Sequence, residues 1–294
     1  MTKTVGVIGL GLMGSSLSKR LLEAGFKVVG FDVDESKRAA LAAMGGEPVE
    51  TVAAVAVRCP QVLLAVMTMA QVEQVVEGPG GLIEAGDPKT QRIAMCTSTC
   101  EPARIETLAA RAAKHGLAFL DTPVSGTSQQ VLRGDGYGMI AGDKAAAEAA
   151  EPVLAVVYPR HQFVGPAGAA TKTKLAINHI LGLNRVALAE GLVFAERLGL
   201  DLGDFLQVAR KSAAYSQIMD IKGDKMVEGD FTPVSKVSQH LKDVKTMLSE
   251  ARQRHQELPL LAVLADILSA CEKHGDGERD NAITIEEIRR RTAA

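Results

Sequence analysis

The sequence predicts an α/β domain over residues 1–164, a doubly wound parallel sheet, followed by an all-α domain over residues 165–294 and joined to it by one long helix. Three observations predict this. Short apolar runs that stop at Gly or Asp alternate with helical patterns through the first half, as repeated βα units do. After Gly165 no convincing strand appears. Between the halves lies Gly165–Gly199, free of proline after its first residues, with Leu175, Ile177, Ile180, Leu181, Leu183, Val186, Leu188 and Val193 at helical spacing. Gly199 follows Arg197 and Leu198 as a helix C-cap. The stretch is apolar over most of its circumference, which predicts a position between layers. Lys174 and Asn178, four residues apart, share one face of its first turns. Taken alone, that pair reads equally well as a snorkelling lysine beside an amide.

Taken in order, TVGVIG at residues 4–9 is a short apolar strand, and Gly9-Leu-Gly11-Leu-Met-Gly14 follows at once. Ser15–Ala24 is a helix ended by Gly25, and Lys27–Phe31 a second strand stopping at Asp32. In this setting the glycines have distinct tasks. Gly9 permits the tight turn, Gly11 lets backbone approach a pyrophosphate, and Gly14 lets helix and strand pack closely. A phosphate there meets free N–H groups and the favourable end of the helix dipole. Asp32 is placed to accept hydrogen bonds from an adenine ribose, and its charge disfavours a 2′-phosphate, so NAD is expected over NADP. Lys37 and Arg38 are read as solvated on the next helix.

Ser36–Met44 and Val52–Arg58 read as helices, Val62–Met67 as a buried strand, and Val72–Glu77 as a short helix broken by Gly78-Pro79-Gly80. Arg92–Cys96 is strand, Glu101–His115 helix, and Ala118–Leu120 strand ending at Asp121. Gly138–Ala141 and Ala155–Tyr158 read as strands around the helix Lys144–Leu154. Met67–Met69, Ser98-Thr99 and Asp121–Gly126 then fall at carboxyl ends of strands, where a doubly wound sheet binds its ligand. In the second half, Leu202–Ser212, Val237–Arg254, Leu260–Lys273 and Ile283–Arg291 are helical in composition, and Pro259 suits a first helical turn.

Composition removes several classes. Hydrophobic residues are 47% and charged residues 23% of the 294, which describes a globular chain and not a disordered one. A net charge of −2 without like-charge blocks argues against nucleic acid or an anionic membrane as partner. No apolar run reaches the roughly 18 residues of a membrane span, and no export signal is read at the N-terminus. Cys59, Cys96, Cys100 and Cys271 form no CxxC pair, so they are assigned to packing in a reducing cytoplasm, and no metal site is expected.

Four segments in order resemble the β-hydroxyacid dehydrogenase family: Gly9–Gly14; Asp121-Thr-Pro-Val-Ser125-Gly126; Gly165-x-x-Gly168-x-x-x-x-x-Lys174-x-x-x-Asn178; and Lys242-Asp243. The resemblance spans nearly the whole chain. It implies a Rossmann-type domain and a C-terminal domain like that of 6-phosphogluconate dehydrogenase. It also implies Lys174 as acid/base and Asn178 as the amide that helps hold substrate. Ser125, Gly126 and Thr127 would meet the substrate carboxylate. Leu12, Met13, Met67 and Ser98 would join Gly9, Gly11, Gly14 and Asp32 at the cofactor, and Lys242 would reach both substrate and cofactor. The chain departs from the family's usual Ser-Gly-Gly-x-x-Gly-Ala at Thr127 and Gln130, and it has Ala170 and Ile177 where glycine and asparagine are common.

The expected activity is reversible hydride transfer between NAD and a small 3-hydroxyacid or its semialdehyde. Lys174 would move the hydroxyl proton, its pKa lowered by burial and by Lys242. Reduction of C=N bonds on the same fold is one alternative, and a dinucleotide-sensing protein without turnover is another. Short second-half helices rich in Leu, Val and Ile, together with the resemblance, predict a homodimer or homotetramer.

Overall fold

The structure is a computed structural model and describes residues 4–87 and 91–292. Its contacts divide the chain into two compact units, Met1–Lys174 and Leu175–Ala294, and the division lies inside the long helix.

The first unit opens with β1 (Thr4–Ile8), α1 (Leu12–Glu23), β2 (Lys27–Phe31), α2 (Glu35–Ala43), β3 (Glu47–Pro48), α3 (Val52–Arg58) and β4 (Gln61–Leu64). It continues with α4 (Met69–Glu77), α5 (Leu82–Ala85), β5 (Arg92–Cys96), α6 (Pro102–Ala113) and β6 (Leu117–Asp121). It closes with β7 (Val124–Ser125), α7 (Ser128–Arg133), β8 (Tyr137–Ala141), α8 (Lys144–Val157) and β9 (Arg160–Gly165). The strands form one sheet in the order β3-β2-β1-β4-β5-β6-β8-β7, with β9 on β8. From β3 to β6 every pairing is parallel.

Successive strand residues feed opposite layers, as the two-residue repeat requires. Val7, Leu63, Ile93 and Met95 pack with Leu17 and Leu21 of α1 and with Val153, Leu154 and Val157 of α8. Ile8, Leu64, Ala94 and Cys96 pack on the other face with Val55, Val72, Val76, Ile105 and Leu108. Burial on both faces explains why these strands read as unbroken apolar runs.

Two expectations for this unit need correction. Ala155–Tyr158 is not a strand: α8 runs on through Val157, and the strand comes later, at Arg160–Gly165. The buried residues Ala146, Ala150, Val153, Leu154 and Val157 keep one helical face facing the core, and that burial outweighs the β preference of Val156-Val157 and the helix-breaking Pro152. The sheet is also not parallel throughout, since β8 runs antiparallel to both β6 and β7.

The long helix α9 (Ala169–Arg197) leads into the second unit. There follow α10 (Leu202–Lys211), a π-helical turn at Met219–Gly223 leading into α11 (Asp224–Glu228), and α12 (Val237–Gln253). The last elements are α13 (Pro259–Lys273) and α14 (Thr284–Arg290), the latter preceded by a 3₁₀ turn. Leu188 and Leu192 of α9 share a core with Leu206, Leu241, Val244, Leu264, Leu268 and Ile285. The helix is not covered all round, however: Ile180 and Phe194 are exposed along it, with Leu198 just past its end. No helix among the described residues is long and apolar enough to cross a membrane.

Candidate functional site

The first turn of the chain is built as a phosphate-binding turn needs to be. Gly9 sits at φ +89, a conformation that L side chains rarely adopt. A Cβ on Gly14 would lie 1.8 Å from the Gly9 carbonyl oxygen, so α1 packs on β1 only because that atom is missing. A Cβ on Gly11, by contrast, would meet nothing within 4 Å, and no side chain caps α1. Open space before uncapped N–H groups fits a pyrophosphate. Leu12 is exposed and Met13 half-buried on this first turn.

At the end of β2, both oxygens of the buried Asp32 carboxylate already accept backbone donors. Leu10 N–H donates to Oδ2 at 2.7 Å and Asp34 N–H to Oδ1 at 3.0 Å. A carboxylate oxygen accepts more than one bond, so ribose hydroxyls remain compatible with this geometry. Lys37 and Arg38 are not simply solvated, as the sequence reading had them. Lys37 Nζ lies 3.7 Å from Asp32 Oδ1. The Arg38 guanidinium folds back to donate to the Asp32 carbonyl at 2.7 Å and pairs with Glu50 at 2.9 Å. A cation held in that way is withdrawn from any 2′-phosphate.

Further expected residues follow the carboxyl ends of the neighbouring strands. Met67, after β4, is exposed. Ser98, after β5, is buried, and its hydroxyl donates to the Val66 carbonyl at 2.5 Å, tying the two strand ends together. Beyond β6, Ser125 is followed by Gly126 at φ +147. Thr127 and Gln130, the departures from the family pattern, form a capping box on α7. Thr127 N–H donates to Gln130 Oε1 at 2.9 Å, and Gln130 N–H to Thr127 Oγ1 at 3.2 Å. The Thr127 amide is therefore engaged by the Gln130 side chain of its own chain.

Lys174 and Asn178 lie four residues apart on α9, each only 8% exposed. The start of this helix has an anchor that sequence reasoning missed. Asp121, the last residue of β6 and fully buried, accepts from Thr171 N–H at 2.8 Å and from the Thr171 hydroxyl at 2.7 Å. Burial pushes the Asp121 carboxyl up to about 6, against the opposing pull of donors from Thr171, Gly168 and Ala170. On another side Lys172 pairs with Glu106 of α6 at 2.5 Å. The only signal in the sequence was an aspartate closing a strand within a motif, with its partner fifty residues away. In the second unit Lys242 stands on α12 with its Nζ 3.4 Å from the Asp243 carboxylate. Among the described residues no cluster of His, Cys, Asp and Glu could hold a metal ion.

Two family models together match most of this chain. Residues 4–165 match the model of the NAD binding domain of 6-phosphogluconate dehydrogenase. Residues 168–288 match the NAD-binding domain of NADP-dependent 3-hydroxyisobutyrate dehydrogenase. L-threonate dehydrogenase of Cupriavidus necator is 32% identical over 286 residues, covering 97% of this chain and 96% of that protein. 2-Hydroxy-3-oxopropionate reductase of Escherichia coli is 28% identical over 288 residues, covering 97% and 96%. The crystal structure of a 3-hydroxyisobutyrate dehydrogenase from Salmonella typhimurium superposes with a TM-score of 0.88 at 27% identity, covering 97% of this chain and 99% of that one.

Proposed function

The chain belongs to the β-hydroxyacid dehydrogenase family, and from that premise we propose that it moves a hydride between NAD and a small 3-hydroxyacid or its semialdehyde, with Lys174 as general acid/base. Bound NAD supplies the hydride chemistry; the chain must hold it, orient the substrate and manage one proton. Gly9, Gly11 and Gly14, with Leu12 and Met13, hold the pyrophosphate end. Asp32 takes the adenine ribose and, with Arg38 folded onto Glu50, disfavours a 2′-phosphate. Met67 and Ser98 flank the nicotinamide half. The Ser125 hydroxyl and Gly126 backbone receive the substrate carboxylate, beside Thr127. Asn178 donates an amide N–H to the substrate, and Lys242 adds positive charge for substrate and cofactor.

During oxidation the neutral Lys174 amine takes the hydroxyl proton, and during reduction the ammonium returns it to the carbonyl oxygen. The observation that carries this reading is the burial of Lys174 on a helix whose first turn is fastened to the carboxyl end of β6. Two relatives bear the names of enzymes for L-threonate and 2-hydroxy-3-oxopropionate, which favours a small oxygen-rich acid here. The test is a screen of small hydroxyacids and their aldehydes by NADH absorbance, followed by Lys174→Ala and Lys174→Arg. Both should lower kcat by a factor on the order of 10²–10⁴ with NADH affinity nearly unchanged. Arginine fails because guanidinium does not give up its proton. Near-normal kcat in both variants would end the acid/base assignment.

We also assign the protein to the cytoplasm as a homodimer or homotetramer that meets neither nucleic acid nor membrane. Four buried free thiols suit a reducing compartment. In the second unit Ile180, Phe194, Leu198, Val208, Leu260 and Val263 are exposed apolar residues for a second copy to cover.

A further inference from the structure

Three residues before Lys174, the chain meets a buried polar anchor of the first unit. Asp121 and Thr171 are both fully buried, and their two hydrogen bonds join the last residue of β6 to the first turn of α9. Gly168 and Ala170 of the same turn add their backbone dipoles in favour of the charged carboxylate. The donors at the start of a helix are ordinarily satisfied by a capping side chain from the residue just before it. Here the acceptor comes from a strand fifty residues earlier, so the helix start and the strand end cannot shift independently. The other flank is fixed as well. Lys172 pairs with Glu106 of α6, and a Cβ on Gly168 would lie 2.8 Å from Glu106 Cγ, so α6 and the start of α9 are in close contact. On a helix, residues three apart are neighbours on one face, so a tilt or twist at Thr171 is transmitted to Lys174.

We propose that Asp121 and Thr171 form a positioning pair for proton transfer: they hold the first turn of α9 so that Lys174 keeps a fixed place relative to the Ser125-Gly126 turn that follows β6. Both residues are fully buried and bonded to each other, and in this reading they act through Lys174. The inference rests on the acid/base reading of that lysine. A reacting group misplaced by about 1 Å costs on the order of 10²-fold in rate, so even partial loosening is measurable.

Thr171→Val keeps the volume of the side chain and deletes the hydroxyl donor, while Thr171→Ser keeps the donor. Expected for Thr171→Val are a kcat lower by about tenfold or more, an NADH affinity and KM within about twofold, and a larger solvent isotope effect on kcat. Thr171→Ser should restore kcat to within about twofold of the parent. Val157→Ala, on α8 and outside this anchor, is the control for lost stability and should leave kcat and the isotope effect unchanged below its melting transition. Unaltered kcat and isotope effect in Thr171→Val overturn the proposal. So does an equal loss in Val157→Ala, or failure of Thr171→Ser to rescue. If Thr171→Val does not fold, the serine variant decides together with Asp121→Asn, which should show the same kcat loss. Lys174→Ala run alongside separates the two levels. A dead lysine variant beside a normal Thr171→Val removes only the positioning role, whereas an active lysine variant removes the acid/base reading and this inference with it.

Discussion

Asp280 supplies a stability prediction that the second unit alone must meet. Its fully buried carboxylate accepts from Lys222 Nζ at 2.6 Å and from the N–H groups of Val234, Ser235 and Ala282 at 2.9, 3.0 and 3.0 Å. Arg185 is buried nearby, and its Nε and Nη1 have no hydrogen-bond partner among the described residues. Burial pulls that guanidinium down to about 10, with Asp280 opposing the fall. Burial likewise pulls the Lys222 ammonium down, opposed by Asp280. For Asp280 itself burial pushes upward, but Lys222 and the backbone donors outweigh it and hold the carboxyl below its usual value. One carboxylate therefore compensates two buried cations.

Replacing Asp280 with Asn leaves both cations without a counter-charge. Breaking a buried pair in this way costs about 3–5 kcal/mol, a large part of a typical domain's stability. The pH dependence follows from the sign of each shift. The Asp280 pKa is depressed in the fold, so its contribution is present above the unfolded value of 3.8 and is lost as pH falls through the folded one. In the variant, Lys222 loses the partner that raised its pKa and falls further from 10.5. Between the folded and unfolded pKa values of that lysine the unfolded chain binds one more proton, so stability rises with pH at up to about 1.4 kcal/mol per unit. Urea unfolding of parent and Asp280→Asn at pH 7 and pH 9 reads both effects. The variant should be weaker by several kcal/mol at pH 7, with part of the deficit recovered at pH 9. A variant within about 1 kcal/mol of the parent, or a deficit that does not change with pH, refutes the charge argument.

Two further outcomes are expected. Asp32→Ser should narrow the preference for NAD over NADP in steady-state kinetics, and equal or better use of NADP by the unmodified protein would refute the role given to Asp32. Light scattering at micromolar concentration should show a dimer or tetramer, and Phe194→Glu on the exposed part of α9 should shift it toward monomer; a monomeric parent protein counts against the assembly.

The fold was legible where a local pattern and its tertiary role coincide. The strands β1, β2 and β5 appear in the sequence as apolar runs because both of their faces are buried. The end of α8 was misread because Ala155-Val-Val-Tyr158 has strand composition, and only the spacing of Val153, Leu154 and Val157 relative to Ala150 shows the helical face. The antiparallel turn of β8 was not legible, since strand direction depends on what the chain packs against after α7. Exposure along α9 was hidden for a related reason: apolar composition does not say which residues another surface will cover.

The candidate site divides along the same line. Gly9 and Gly14 of the first turn perform tasks set within a few residues, and the structure gives Gly9 its positive φ and Gly14 its close contact as the spacing required. Thr127 and Gln130 were visible only as departures from a family pattern, yet Thr-x-x-Gln before a helix is itself a capping-box signature. That signature matches the bond the Thr127 amide makes to the Gln130 side chain. Asp121 could not be read so. Its hydrogen-bond partner is Thr171, fifty residues on, and nothing local distinguishes an aspartate that ends a strand from one that anchors another helix. The structure shows the cost of such an anchor: a carboxyl with no exposure and a pKa raised to about 6 is a group the fold destabilises in its charged form at neutral pH. A hydrophobic residue of similar size would avoid that cost, so its presence here is best explained by the precision with which it fixes α9.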